Sequence, residues 1–210
     1  MNTTKWLMLG LVVAAIGCQK TPDLDQLSTN QVVATDRDLQ ANFANYSTYH
    51  ISDTVSIVAT DPKDSILTGP LALQLVNAVK TNMNSRGYTF VARNASPDLG
   101  LRLTVIKDVT RTAVCGGWWD GWWGWYPPYW WGYPGGGYYY PWCTTYTYTI
   151  GTSTLYLFDI KSAKGGSGTI RALWGATAFG VFSTTNNNTN AQLTVDAINQ
   201  AYKQSPYIQK

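Results

Sequence analysis

Apolar residues recur along the chain with two different periods, and the switches between them predict its elements. Leu99, Leu101, Leu103 and Val105 alternate with Gly100, Arg102 and Thr104, a spacing near two that predicts a half-buried strand. Val55, Ile57 and Ala59 alternate with Ser56 and Val58 in the same way. Runs of β-branched and aromatic residues predict further strands over 46–51, 88–93, 146–150, 155–160 and 170–182, with a short first strand over 32–34. The strand over 170–182 is long enough to carry bulges, with Gly175 and Gly180 as the candidates. Two other segments keep a helical spacing. Leu71, Leu75, Val76, Val79 and Met83 form one stripe. Pro70 stands in its first turn and Gly87 at its end, where a left-handed residue is needed. Ala191, Val195, Ile198 and Tyr202 form the second stripe, behind an Asn-rich stretch over 184–190 that offers N-cap residues. Asp61-Pro62-Lys63-Asp64 and the Gly-rich stretch 164–168 read as loop and turn. This order predicts an α+β two-layer domain, an antiparallel or mixed sheet of about five strands with two helices on one face.

The first residues follow neither pattern. Lys5 precedes an apolar stretch over 6–16, too short to span a hydrocarbon core, which needs roughly 20 apolar residues. Ala15-Ile16-Gly17-Cys18 then resembles the lipobox of bacterial lipoproteins. The resemblance implies cleavage before Cys18, lipid on its thiol and a membrane as the partner of that lipid. Residue 19 is Gln rather than Asp, which by the sorting rule of enteric bacteria implies the outer membrane. The expected organisation is a signal peptide over 1–17, a tether over 18–40 and one globular domain over 41–210.

Composition changes the picture at one place. Charged residues make up only 13% of the chain, yet no second stretch reaches transmembrane length. The deficit lies in an insertion over 115–143, which holds eight of the ten tryptophans and, as its only charge, Asp120. Its Gly and Pro content argues against a regular helix or a central strand. So many rings cannot all be buried by a loop of this composition. Trp118, Trp119, Trp122, Trp123, Trp125, Trp130 and Trp131 are therefore candidate contact residues. Three contacts suit them: a membrane interface, where an apolar ring with a polar tip is favoured; a protein partner, where Trp and Tyr dominate hot spots; and a glycan stacked on the rings. Glycan sites usually add Asp, Glu, Asn or Arg to fix hydroxyls, and this stretch offers only Asp120. A fourth reading is a packed or disordered insertion of drifting composition.

Cys115 and Cys143 bracket the insertion. Outside the cytoplasm thiols tend to be oxidised, and lipidation of Cys18 leaves an even pair. A bridge would close a loop of about 29 residues, worth roughly 3.5 kcal/mol in the chain-entropy model. Two thiols without a nearby His or acidic pair make an incomplete metal site, so no metal or cofactor is expected. Basic residues are scattered, which argues against nucleic acid as a partner. His50 is the only histidine; no His-Glu-x-x-His, Gly-x-Ser-x-Gly or phosphate-binding loop accompanies it, and no catalytic activity is expected.

Phe43-Ala44-Asn45-Tyr46-Ser47-Thr48-Tyr49 resembles the Phe-x-x-Tyr-x-Thr-Tyr motif that opens the domain-of-unknown-function 4136 family of bacterial envelope lipoproteins. Arg86-Gly87-Tyr88, Pro97-Asp98-Leu99, Leu155-Tyr156-Leu157-Phe158-Asp159, Leu173-Trp174-Gly175-Ala176, Ala197-Ile198 and Ser205-Pro206-Tyr207 follow in the family's order. The cysteine pair departs from that pattern. The resemblance implies an α+β fold and a lipoprotein, and no established activity. Tyr46, Tyr49, Leu157 and Trp174 are expected in the core, with Asp159 shaping a turn. The expected function is a non-catalytic, lipid-anchored envelope lipoprotein that presents its aromatic loop to a protein or a membrane, with a glycan-binding module of the envelope as the alternative.

Overall fold

The computed structural model describes residues 31–61, 63, 65–108, 110–113, 128–133, 136–148, 150–164, 169–182 and 185–210. The expected signal peptide, Cys18, most of the expected tether, Cys115 and the tryptophans at 118, 119, 122, 123 and 125 lie outside these residues. The strands are β1 (Val32–Arg37), β2 (Thr48–Ile51), β3 (Val55–Val58), β4 (Ile66–Leu67), β5 (Thr89–Phe90), β6 (Leu99–Ile106), β7 (Arg111–Ala113), β8 (Tyr138–Tyr139), β9 (Tyr146–Tyr148), β10 (Ser153–Asp159) and β11 (Ile170–Phe179). The helices are α1 (Gly69–Ser85), α2 (Ile160–Lys164) and α3 (Asn187–Lys203).

Among the described residues, nine strands form one mixed sheet whose main path runs β1-β11-β10-β6-β2-β5. Beyond β2, β6 continues against β3, so one long strand has two short parallel neighbours on the same side. The sheet has more strands than the expected five because β4, β5 and β8 are pairs of residues, too short to show a period. The sheet includes β1, paired along its whole length with β11. Folded structure therefore begins by Val32, inside the stretch expected to be tether.

Helices α1 and α3 cover one face. Ala72, Leu75, Val76, Val79 and Met83 of α1 are buried, as are Ala191, Thr194, Ala197, Ile198, Ala201 and Tyr202 of α3. The caps explain the helix limits. Asn186 accepts from the backbone N–H groups of Asn188 (2.9 Å) and Thr189 (3.2 Å), satisfying donors that a helix start leaves open. At the end of α1, Tyr88 N–H bonds Met83 C=O and Gly87 N–H bonds Asn84 C=O, with Gly87 at φ +88°. This is the paired pattern of a Schellman cap, and the left-handed angle is why glycine stands there.

Leu99, Leu101, Leu103 and Val105 of β6 and Leu155 and Leu157 of β10 point into this helix-covered core. Register shifts between Leu157 and Phe158, whose partners are Trp174 and Ala172, leaving Leu173 as the extra residue of β11. The bulge thus sits at Leu173 and not at the expected Gly175. It lets two large consecutive residues, Leu173 and Trp174, enter the same core. Gly180, at φ +77°, follows the end of the strand. Two other elements differ from expectation: residues 160–164 are helix, and the stretch over 88–93 forms only the exposed pair Thr89–Phe90. Phe43–Asn45 is a 3₁₀ turn.

Candidate functional site

The pattern of β6 predicts a half-buried strand, yet all eight of its residues are buried. The reason lies on the face opposite the helices. Residues 128–133 and 136–142, from the second part of the aromatic insertion, lie across it, and a second apolar cluster forms there. Trp131 and Tyr140 are buried in it against Val58, Ile106, Tyr156, Phe158, Ile160, Ile170 and Ala172, with Trp130, Tyr133, Tyr138 and Trp142 packed around them. Positions of β6 that the alternation leaves to solvent, together with Tyr156 and Phe158 of β10, are buried under a second layer.

Glycines make the room. A Cβ added to Gly100 would lie 2.6 Å from Cη2 of Trp131, closer than atoms tolerate. A Cβ on Gly175 would lie 2.7 Å from Cε1 of Tyr156 and 3.2 Å from Cζ2 of Trp142. In both places a ring occupies the space of a missing side chain. Polar tips are also engaged, as buried rings of this type require. Trp131 Nε1–H donates to the Tyr138 hydroxyl (3.1 Å), and the Tyr133 hydroxyl donates to Ile160 C=O (3.1 Å). Arg102, 6% exposed, lies among these rings: its guanidinium donates to the Tyr140 hydroxyl (3.4 Å) and sits 5.2 Å from the Tyr138 centroid. Surrounding rings supply part of the favourable environment such a cation needs.

Of the tryptophans expected as contact residues, the two described ones are thus packed on the domain. Trp131 is 8% exposed and belongs to the second core. Trp130 is half-buried, edge-on to Trp131 at 4.6 Å, and covered by Arg93, which donates to its carbonyl (2.9 Å) with the guanidinium 4.6 Å from its ring. Exposure in this part of the insertion belongs instead to Tyr129 (66%) and Tyr139 (50%), which the count of tryptophans passed over. At its base, β7 pairs with β9, Ala113 facing Tyr146. Cys143 lies three residues before that pair and is exposed.

His50 sits at the margin of this layer. Its Nδ1–H donates to Val91 C=O (2.9 Å), and its ring stacks on Phe90 at 5.6 Å and approaches Trp130 at 5.7 Å. Burial lowers its pKa, opposed by the Val91 bond and assisted by Arg93. These contacts use the imidazole as a packed strand residue.

A cavity of about 500 Å³ opens at the end of the sheet where β1, β10 and β11 meet the 3₁₀ turn Phe43–Asn45, α2 and β8. Two buried carboxylates line it. Asp159 accepts from the Tyr46 hydroxyl (2.9 Å) and from Ser162 N–H (2.8 Å); the latter bond holds the turn into α2. Asp38 accepts from Arg171 Nε (2.5 Å) and from Gln40 N–H (2.9 Å). Arg171 also donates to the Gln40 amide oxygen (3.2 Å) and lies 5.6 Å from the Tyr139 ring. Burial, followed by the Asp159 hydrogen bond, pushes the Tyr46 hydroxyl far above its ordinary pKa, so it stays a donor. Nothing local in the sequence joins Asp38 and Tyr46 to Asp159 and Arg171: Tyr46 and Asp159 are 113 positions apart.

The motif residues meet in the same frame. Tyr46, Tyr49, Leu157 and Trp174 are all buried. Asp98 accepts from the N–H groups of Ser47 and Thr48, while its own N–H donates to the Thr48 hydroxyl, which fixes the start of β2 against β6. The Tyr88 hydroxyl donates to Phe43 C=O (3.0 Å), and Trp174 Nε1–H donates to the Ser205 hydroxyl (2.9 Å). Arg86 donates to Tyr202 C=O (2.9 Å), tying the end of α1 to α3. Each of these residues closes a joint between elements.

A family profile described as a domain of unknown function, DUF4136, matches residues 33–207. The chain is also similar to the crystal structure of a DUF4136 family protein from Bacteroides thetaiotaomicron, with 30% identity, a TM-score of 0.71, and 86% of this chain and 98% of that chain covered. A comparison with curated proteins found no match. The profile spans the sheet, both long helices and the joints between them, and the chain belongs to the DUF4136 family.

Proposed function

We propose that this protein is a non-catalytic lipoprotein of the bacterial cell envelope, held in a membrane, the outer membrane by the residue after the cysteine, through lipid on Cys18. Its domain presents the tryptophans at 118–125 to a protein partner or to the membrane surface. The observation that carries this reading is the division of the insertion. The part over 128–142 is fastened to the sheet by the seating of Trp131 over Gly100. The stretch 114–127 therefore starts from Ala113 in the β7–β9 ladder and ends at Pro128, beside that anchor. A Trp-rich segment held at both ends loses less freedom on binding than a free tail would. The proposed bridge between Cys115 and Cys143 adds a tie at the base; Cys143 is an engaged residue rather than a free one.

Photo-crosslinking from intact cells tests the reading, with the probe at the exposed Tyr129. A discrete protein band or a lipid adduct, lost when residues 118–125 are replaced by a Gly-Ser linker, is the expected result. No adduct above that of a probe at Asn77 would overturn the contact role. Incorporation of labelled palmitate, abolished by Cys18→Ala, checks the anchor. Non-reducing peptide mapping checks the bridge, and two free thiols would remove it.

A further inference from the structure

The cavity beside Tyr139 carries an inference of its own, independent of the tryptophans at 118–125. We propose that it is a binding site for a neutral sugar residue of a glycan, its hydroxyls held by the Asp38, Asp159 and amide groups and its C–H face packed on Tyr139.

Size is the first argument. About 500 Å³ lies within the range of roughly 300–1,000 Å³ typical of small-molecule sites. Preorganisation is the second. Asp38 and Asp159 are 4% and 5% exposed, and each is held by two hydrogen bonds from inside the protein. A carboxylate has about four lone-pair positions, so each retains capacity to accept from a ligand hydroxyl without moving. Gln40 and Asn42 add amide groups whose oxygens already accept internal bonds, from Arg171 (3.2 Å) and Ala44 N–H (3.2 Å). Their amide nitrogens are donors. Fixed acceptors beside amide donors match a hydroxyl, which both gives and takes a hydrogen bond.

Charge is the third argument. Asp38 is paired with Arg171, and Asp159 is the other charged residue of the lining. The wall therefore carries about one net negative charge and meets an anion with carboxylates, which disfavours phosphate. The fourth is the aromatic at the mouth. Tyr139 stays half-exposed while Tyr140 is buried, and the pairing of β8 with β11 places Tyr139 beside Arg171. A flat ring next to planar polar groups gives the two surfaces a pyranose presents: an apolar C–H face and an edge of hydroxyls.

The test is titration of the full chain, in a detergent without a sugar headgroup, against an array of neutral trisaccharides of hexoses and of N-acetylhexosamines. At least one trisaccharide should bind. Tyr139→Ala and Gln40→Ala should each weaken it tenfold or more at unchanged melting temperature. Tyr139→Phe should keep binding within threefold, because stacking needs only the ring. Phe90→Ala, at an exposed aromatic elsewhere, should change nothing, and replacing residues 118–125 should leave binding intact. Failure of every trisaccharide to bind would overturn the proposal. So would binding indifferent to Tyr139→Ala, or binding displaced by inorganic phosphate.

Discussion

The two faces of the central sheet are covered by different means. One carries α1 and α3, regular elements with apolar stripes and recognisable caps. The other carries an irregular chain whose rings fill slots left by Gly100 and Gly175. Helices bring periodic side chains to a periodic surface, so either partner can be read alone. The aromatic cover works by complementary shape, and a glycine in a strand acquires meaning only once the ring above it is known. The same difference should appear in energetics. On the helix face a lost side chain leaves a hole; on the aromatic face an added methyl also destabilises.

The largest effect should come from the helix face. Trp174→Ala removes a fully buried ring and its bond to Ser205, and should destabilise the domain by about 3–5 kcal/mol in denaturant unfolding. On the aromatic face, Gly100→Ala should cost about 1–3 kcal/mol, because the new Cβ meets an indole that cannot move aside. Combining it with Trp131→Ala should restore part of that loss relative to Trp131→Ala alone. Such coupling is read from a double-mutant cycle, and strict additivity would show that the ring does not occupy the slot. Asn186→Ala should cost about 1 kcal/mol through the lost cap of α3, with Asn186→Asp nearly neutral.

The smallest effect should be a pH dependence at the margin of the aromatic face. Burial holds the His50 pKa below its ordinary 6.5, so the unfolded chain takes up a proton that the folded chain resists. The stability His50 contributes is complete above about pH 6.5 and declines as pH falls toward the lowered folded value. His50→Asn keeps a donor for Val91 and should flatten melting temperature between pH 7 and 5. An unchanged slope would assign the acid sensitivity to other groups.

Much of the helix-covered half was legible in the sequence. The stripe ending at Met83, the left-handed Gly87 and the core-facing leucines from Leu99 to Leu103 each have one local meaning, and the structure uses them so, although the strand from Leu99 is buried on both faces. Leu71 is the exception in its stripe: it is only partly buried, and Ala72 faces the core instead. The bulge was misplaced because a strand glycine suggests irregularity, whereas Gly175 serves to admit rings and the extra residue is Leu173. The aromatic half was legible in composition but not in role. Trp131 and Trp130 look identical in sequence, and only Gly100 and Arg93, some thirty residues away, decide that both are packed. The cavity was not legible at all. Asp38 and Arg171 are 133 positions apart, and nothing local marks either as the other's partner.

The central claim is that the aromatic insertion has two parts, an anchor over 128–142 and a contact segment over 118–125. One comparison tests it most directly: thermal unfolding and envelope crosslinking of the full chain, measured side by side for Trp131→Ala and for a Gly-Ser replacement of residues 118–125. The account predicts that Trp131→Ala lowers stability by about 3 kcal/mol. It predicts that the replacement shifts stability by less than about 0.5 kcal/mol while abolishing the crosslink of a probe at Tyr129. If instead the replacement unfolds the domain, or leaves the crosslink intact, the insertion is not divided in this way.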